Sequence, residues 1–216
     1  MDELTTIGPL PPADRLEATP MLTAAFANDP LMHFLFSDAP VGVSGGIAAL
    51  MDLAFETRSS RGWPVLGARS SRGELVGVAY LSLPFPAPAL AGAPGPMEPD
   101  ILRSTREHFE SVIGEAALAR YRSYEQAWTV GAPTRPHHYL GVLGVSPTAQ
   151  GTGVGVALLD AVAAIVDEDE ASDGVWLDTE NPRNVGFYQR RGFRVAAERA
   201  LGSVTIWGMW RERGRG

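Results

Sequence analysis

Cysteine is absent from the 216 residues, and so is lysine: all 18 basic residues are arginine. The first absence excludes disulfides, thiolate metal sites and a cysteine nucleophile. The second excludes a lysine nucleophile and a lysine phosphate clamp; with the abundance of Ala and Gly it reads as the coding bias of a GC-rich genome. No run of about 18 apolar residues occurs, so no membrane-spanning helix is expected. The opening Met-Asp-Glu-Leu-Thr-Thr lacks the basic and apolar regions of a signal peptide. A cytoplasmic protein without a membrane partner is the expectation. The formal charge of −7 disfavours nucleic acid, whose phosphates demand cationic contacts. A neutral or cationic small substrate suits that field better.

With 45% hydrophobic residues the chain can bury one substantial core, and no internal repeat or second domain is visible, so 1–216 reads as a single domain. Residues 3–8 suggest a short strand. Thr19 and Pro20 read as the N-cap and first position of a helix through Phe26. Asn28-Asp29-Pro30 ends it, a short helix follows to Phe36, and a third covers 46–58. Residues 63–69 and 74–83 flank Ser-Ser-Arg-Gly as a β-hairpin. The stretch 84–99 contains six prolines and reads as a long loop of the kind that serves function. Asp100 then caps a long helix, with Gly114 as its bend point. An apolar strand runs over 139–145 and a helix continues to about Val166 on a stripe of Val154, Leu158, Val162 and Ile165. A strand at 174–179, a helix from Pro182 capped by Gly192, and a hairpin of 193–199 with 203–211 complete the chain. Strand–helix alternation predicts an α/β fold, and the hairpins predict a mixed sheet. The acidic run Asp167–Asp173 lacks the spacing and central glycine of a calcium loop, and no metal is expected.

The local signal that stands out is Ser146–Asp160, with glycines at 151, 153 and 155 where a helix begins. A helix N-terminus carries N–H groups without partners and about half a positive charge. Glycines let a phosphate approach those groups and permit positive φ. A Walker A loop needs Lys and Ser/Thr where Val156 and Ala157 stand, and a dinucleotide fingerprint needs a third glycine at Val156. Gln150-x-x-Gly153-x-Gly155 remains. Taken alone it reads equally as a phosphate cradle or as a glycine-rich turn without a ligand.

A second segment, Trp176–Phe193, adds a strand, an Asn, a helix with Tyr188, and Gly192-Phe193. In this order and separation the two segments resemble the GNAT N-acetyltransferases. The sequences Leu143–Gly155, Asn181–Phe193 and Trp207-Gly-Met209 are similar to the puromycin N-acetyltransferase type of that superfamily. The resemblance spans about 138–210 and departs at 84–99. It implies a GNAT fold with a mixed, mostly antiparallel central sheet flanked by helices, acetyl-CoA as cosubstrate, and transfer of acetyl to a primary amine of a small molecule such as an antibiotic or other metabolite. A protein or peptide N-acetyltransferase and a non-catalytic acetyl-CoA-binding module are the alternatives, and a homodimer is an open assembly state.

The resemblance assigns the pyrophosphate to Gln150, Gly151, Thr152, Gly153, Val154, Gly155 and Val156, and the pantetheine arm to Leu143, Gly144 and Val145. It also implies a β-bulge that aims an N–H at the thioester oxygen. Gly144 is the expected place for it, against the alternative of close helix packing. Tyr188 matches the family's general acid; read without the resemblance it is a core aromatic. Asn181 reads first as a helix cap and second as a cofactor contact, and Asn184 lies one turn before Tyr188. Asp178 and Glu180 are candidate bases, each also readable as a surface carboxylate. His137 and His138 are candidate relays that also fit an exposed strand entry. Asp29, His33, Tyr80 and the 84–99 loop are expected on the acceptor side.

Overall fold

The computed structural model describes residues 5–84 and 99–214. The proline-rich stretch read above as an acceptor-side loop lies, apart from its two ends, outside the described residues. Seven strands form one sheet: β1 (Thr6–Pro9), β2 (Val65–Arg69), β3 (Leu75–Leu81), β4 (His138–Val145), β5 (Gly174–Thr179), β6 (Arg194–Leu201) and β7 (Val204–Glu212). Their spatial order is β1-β2-β3-β4-β5-β7-β6. Every neighbouring pair is antiparallel except β4 with β5. The expected mixed, mostly antiparallel α/β architecture is therefore present.

Among the described residues six α-helices cover the two faces: α1 (Arg15–Ala25), α2 (Pro30–Phe36), α3 (Gly42–Arg61), α4 (Asp100–Ala127), α5 (Val154–Glu168) and α6 (Pro182–Gln189). Leu22, Leu35, Ile47, Phe55, Phe109 and Ile113 join one sheet face in one core. Leu158, Val162, Val166, Leu177 and Met209 make the other. In α5 the buried stripe ends on Val166, with Ile165 only half-buried.

Three helix starts differ from expectation, and α6 ends at Gln189 with Arg190 as its C-cap, before the expected Gly192. Helix α1 begins at Arg15 and carries Pro20 inside it. Thr19 does not cap, because its hydroxyl donates to Asp52 on α3. Pro20 is exposed and the Leu16 side chain is 81% exposed, so the carbonyl that Pro20 leaves without a donor sits beside water. Helix α3 starts at Gly42, four residues earlier than its hydrophobic content suggested. In α4 Asp100 is the first helical residue, not the cap, and ion-pairs with Arg103. Gly114, at φ 79° and ψ 166°, breaks α4 as the sequence predicts.

Candidate active site

Strands β4 and β5 pair only at His138↔Val175 and Tyr139↔Trp176. Beyond that point β4 stays with β3 and β5 with β7, so Leu140–Val145 has an open backbone edge on its β5 side. A bulge lies at the start of this divergence: Leu81 pairs Leu140 and Tyr80 pairs Val142, leaving Gly141 as the extra residue. A bulge bends its strand and increases local twist. It was expected at Gly144. Gly144 instead pairs regularly with Val78, and a Cβ there would come within 2.4 Å of Leu22 Cδ2 on α1. Close helix packing accounts for that glycine.

At the mouth of α5, Gly151 and Gly153 have φ of 79° and 95°, and a Cβ on either would meet nothing within 4 Å. Gly153 is the N-cap. Among the described residues, the N–H groups of Gly153, Val154 and Gly155 reach no backbone carbonyl, as a first helical turn requires. No acidic residue occurs between Ser146 and Val156. Open space, free donors and the positive helix end together fit a phosphate group. Gln150 is exposed and donates Nε2 to the Val145 carbonyl at 3.2 Å, tying the loop to the end of β4. Thr152 turns its hydroxyl back to the Ala149 carbonyl at 2.7 Å.

The gap between β4 and β5 opens into a cavity of about 430 Å³. Asp178 and Glu180, at the end of β5, both line it. Neither is the surface carboxylate that strand-end residues usually are; Glu180 is only 8% exposed. Asp178 accepts from the Tyr124 hydroxyl at 2.6 Å and from the Tyr139 hydroxyl at 2.7 Å. Tyr139 is steadied by Trp128, stacked on its ring at 4.2 Å. Burial, and then the charge of Asp178, pushes the Glu180 carboxyl up to about 10. Burial also raises Asp178, outweighing its two phenol bonds. Two carboxyls this close titrate as a pair, with both shifted toward the protonated form and Glu180 the more strongly held. Tyr188, on α6, lines the same cavity and is buried. Burial first, and then Asp178 and Glu180, raises its phenol above the ordinary range. It stays protonated at neutral pH and able to donate.

The remaining expected residues divide. Leu143 and Asn184 line the cavity, and Asn184 Nδ2 donates to Thr179 Oγ1 at 3.4 Å. Asp29 has a structural role and a place at the cavity. It caps α2, its Oδ1 accepting from Leu31 N at 3.0 Å and Met32 N at 3.4 Å, and it faces the cavity, where burial raises its pKa. Asn181 is the cap of α6, Oδ1 accepting from Arg183 N at 3.1 Å. His33 is not in the cavity: its Nε2 lies 2.9 Å from the Ala27 carbonyl, beside a shallow depression with Phe34 and Arg120. Tyr80 is a wholly buried core residue, edge-on to Phe55, because inward positions of β3 face α3. His137 and His138 are buried, not exposed, and neither lines the cavity. His138 is fixed between the Ser82 carbonyl at 2.7 Å and Asp169 Oδ2 at 3.0 Å, which leaves no ring nitrogen for a relay. Tyr124, Tyr139 and Arg58 are among the cavity residues that sequence reasoning missed. Only the position of the two tyrosines on apolar helix and strand faces hinted at burial.

Chemically, the arrangement offers a helix mouth fit for an anion, an open strand edge, a buried phenol donor and a buried pair of carboxyls. The fold is that of known acetyltransferases. A histone acetyltransferase HPA2-related acetyltransferase from Corynebacterium glutamicum superimposes with a TM-score of 0.65 at 25% identity, over 98% of this chain and 98% of that one. A mosquito arylalkylamine N-acetyltransferase-like protein gives 0.62 at 14% identity, over 97% and 100% of the two chains. A GNAT acetyltransferase from Brucella melitensis, solved with acetyl-CoA, gives 0.51 at 15% identity, over 99% and 94%. Residues 31–193 match the model of the acetyltransferase (GNAT) family, and the chain belongs to that family as an acetyl-CoA-dependent acetyltransferase.

Proposed function

We propose that the chain transfers acetyl from acetyl-CoA to the primary amine of a small molecule, with Tyr188 as general acid and the Asp178–Glu180 pair as acceptor of the amine proton. The observation that carries this reading is the phenol and carboxyl pair lining one cavity of about 430 Å³, beside the open edge of β4. A space of that size, walled by α2, α3 and α4, suits a metabolite-sized or antibiotic-sized amine. The likeness of residues 138–210 to the puromycin N-acetyltransferase type supports the same substrate class.

The first-turn N–H groups of α5 would hold the pyrophosphate, and Leu140–Val145 would pair with the pantetheine amides as an added strand. A backbone N–H released at the Gly141 bulge takes the oxyanion-donor role expected at Gly144. The acceptor nitrogen bonds to the thioester carbon and the carbon–sulfur bond breaks. Tyr188 protonates the sulfur, the carboxyl pair takes the proton that nitrogen sheds, and the phenol regains a proton from solvent. The test is an acetyl-CoA turnover screen over aminonucleosides, polyamines and peptides, run with the parent and Tyr188→Phe. Small amines should be acetylated in preference to peptides. Tyr188→Phe should lower kcat by about 10²–10⁴ with acetyl-CoA affinity and melting temperature near the parent's. Near-normal turnover in Tyr188→Phe would falsify the acid role, and a preference for peptide amines would move the acceptor class.

A further inference from the structure

Arg58, in the last turn of α3, is 8% exposed and lines the cavity. Its Nη1 donates to the Ala54 carbonyl at 3.1 Å, while its Nε is buried without a partner. Among the described residues no carboxylate lies within ion-pair distance of it. The groups that favour its charge are phenols, Tyr139, Tyr80 and Tyr121, and burial works against the charge. The guanidinium lies over the Tyr80 ring at 5.3 Å. A buried cation without a counter-ion is disfavoured unless something supplies the missing charge.

A second cation makes the position less self-sufficient. Arg61, one turn on, lines the same cavity, stacks on Trp63 at 4.7 Å, and repels Arg58. The backbone makes room for this. A Cβ on Gly141 would come within 2.4 Å of Arg58 Nη2 and 2.9 Å of Tyr139 Cε1. Arg58 therefore sits against one edge of the Tyr139 ring, whose hydroxyl reaches Asp178. The cavity lining carries both signs, Arg58, Arg61 and Arg106 together with Asp29, Glu125, Asp178 and Glu180, and Tyr139 links Arg58 to Asp178: its ring edge and the guanidinium flank the Gly141 gap, and its hydroxyl bonds the carboxylate.

Resting on the amine-acceptor reading above, we infer that the acceptor is zwitterionic, its amine at the Asp178–Glu180 pair and a carboxylate at Arg58. A carboxylate meets the planar guanidinium fork in two parallel hydrogen bonds. It brings a single negative charge into a space that already contains Asp29, Glu125, Asp178 and Glu180, where a dianionic phosphate would be repelled more strongly. The chain between the acceptor's amine and its carboxylate must span the gap between the carboxyl pair and Arg58, so acceptors are graded by its length.

The experiment pairs ω-amino acids of increasing length with alkylamines of the same length and with amino-alkyl phosphates. All are assayed with acetyl-CoA on the full chain. At the best length the amino acid should exceed its alkylamine by about 10²-fold in kcat/KM. Arg58→Met should abolish that preference. Equal use of amino acid and alkylamine by the parent, a preference that survives Arg58→Met, or a stronger preference for the phosphate overturns the inference. The parent's panel decides even if Arg58→Met fails to fold. Calorimetry with straight-chain alkanoates, which have no amine to acetylate, separates the two readings. Alkanoate binding that Arg58→Lys weakens supports the anion site even where every amine is refused, an outcome that removes only the amine-acceptor reading. Amine turnover without alkanoate binding removes the anion site and leaves the acceptor reading in place.

Discussion

In the proposed reaction the mouth of α5 and the end of β5 serve one site, but they are made of different material. At the helix mouth the working groups are backbone N–H donors, exposed by glycines within a few residues of one another. At the end of β5 they are side chains drawn from separate elements: Tyr124 and Tyr139 lie 54 and 39 positions from the Asp178 they bind. The first region depends on what is absent from the side chains. The second depends on which atoms the side chains carry and on the packing of α4 against the sheet. A Cβ should damage one, and a single-atom exchange should damage the other.

The largest effect expected from that difference is Asp178→Asn. The amide keeps the size of the carboxylate and an oxygen that accepts from a phenol, but it removes the charge that makes the pair basic. If the pair takes the amine proton, kcat should fall by about 10²–10⁴, with acetyl-CoA affinity unchanged because the helix mouth is untouched. Steady-state kinetics beside calorimetry reads both quantities on one protein. Turnover within a few-fold of the parent would reduce Asp178 to an anchor for Tyr124 and Tyr139.

The same difference decides what could be read in the sequence. Gly151, Gly153 and the start of α5 are neighbours in the chain, so spacing alone located them. The six helices, the hairpins and the mixed sheet followed from local apolar periodicity and turn residues for the same reason. Asp178 and Glu180 were visible as residues, yet their burial was not, because it comes from α2 and α4 closing over the end of β5. Arg58 carried no signal, since an arginine near a helix C-terminus ordinarily points to water. The sequence points to Gly144 for the bulge that lies at Gly141, because glycine has two uses in a strand. One glycine admits Leu22 and the other admits a guanidinium, and only the packed neighbours tell them apart. Pro20 was misread for a related reason: Thr-Pro marks a helix start unless the proline has water beside the carbonyl it leaves unpaired.

At the helix mouth a smaller effect is expected, and it must be separated from backbone strain. Gly153 has φ of 95°, so any side chain there is strained by about 1–3 kcal/mol. Gly153→Ala and Gly153→Val share that penalty, and their melting temperatures should fall together. Only valine fills much of the open space in front of the N–H groups. Acetyl-CoA affinity should therefore drop about tenfold or more, roughly 1.4 kcal/mol, from alanine to valine. Equal affinities in the two variants would remove the phosphate cradle from this loop.

The smallest expected effect tests the carboxyl pair without any substrate. Glu180 titrates near 4.5 when unperturbed and near 10 in the folded cavity, chiefly through burial. Between those values the unfolded chain has released a proton that the folded chain still holds. Stability contributed by this group is therefore fully present below about pH 4.5 and declines as pH rises toward 10. Glu180→Gln keeps the shape of the side chain and cannot ionise, so it escapes the decline. Its melting temperature should match the parent's near pH 4.5 and exceed it by a few degrees, about 1 kcal/mol or more, at pH 8. Subtracting one melting curve from the other removes the titration of every other group common to the two proteins. Parallel curves across this range would mean that Glu180 ionises in the folded protein as it does in water. The pair would then carry two negative charges beside Tyr188, and it would have no bound proton to distinguish it from two independent carboxylates.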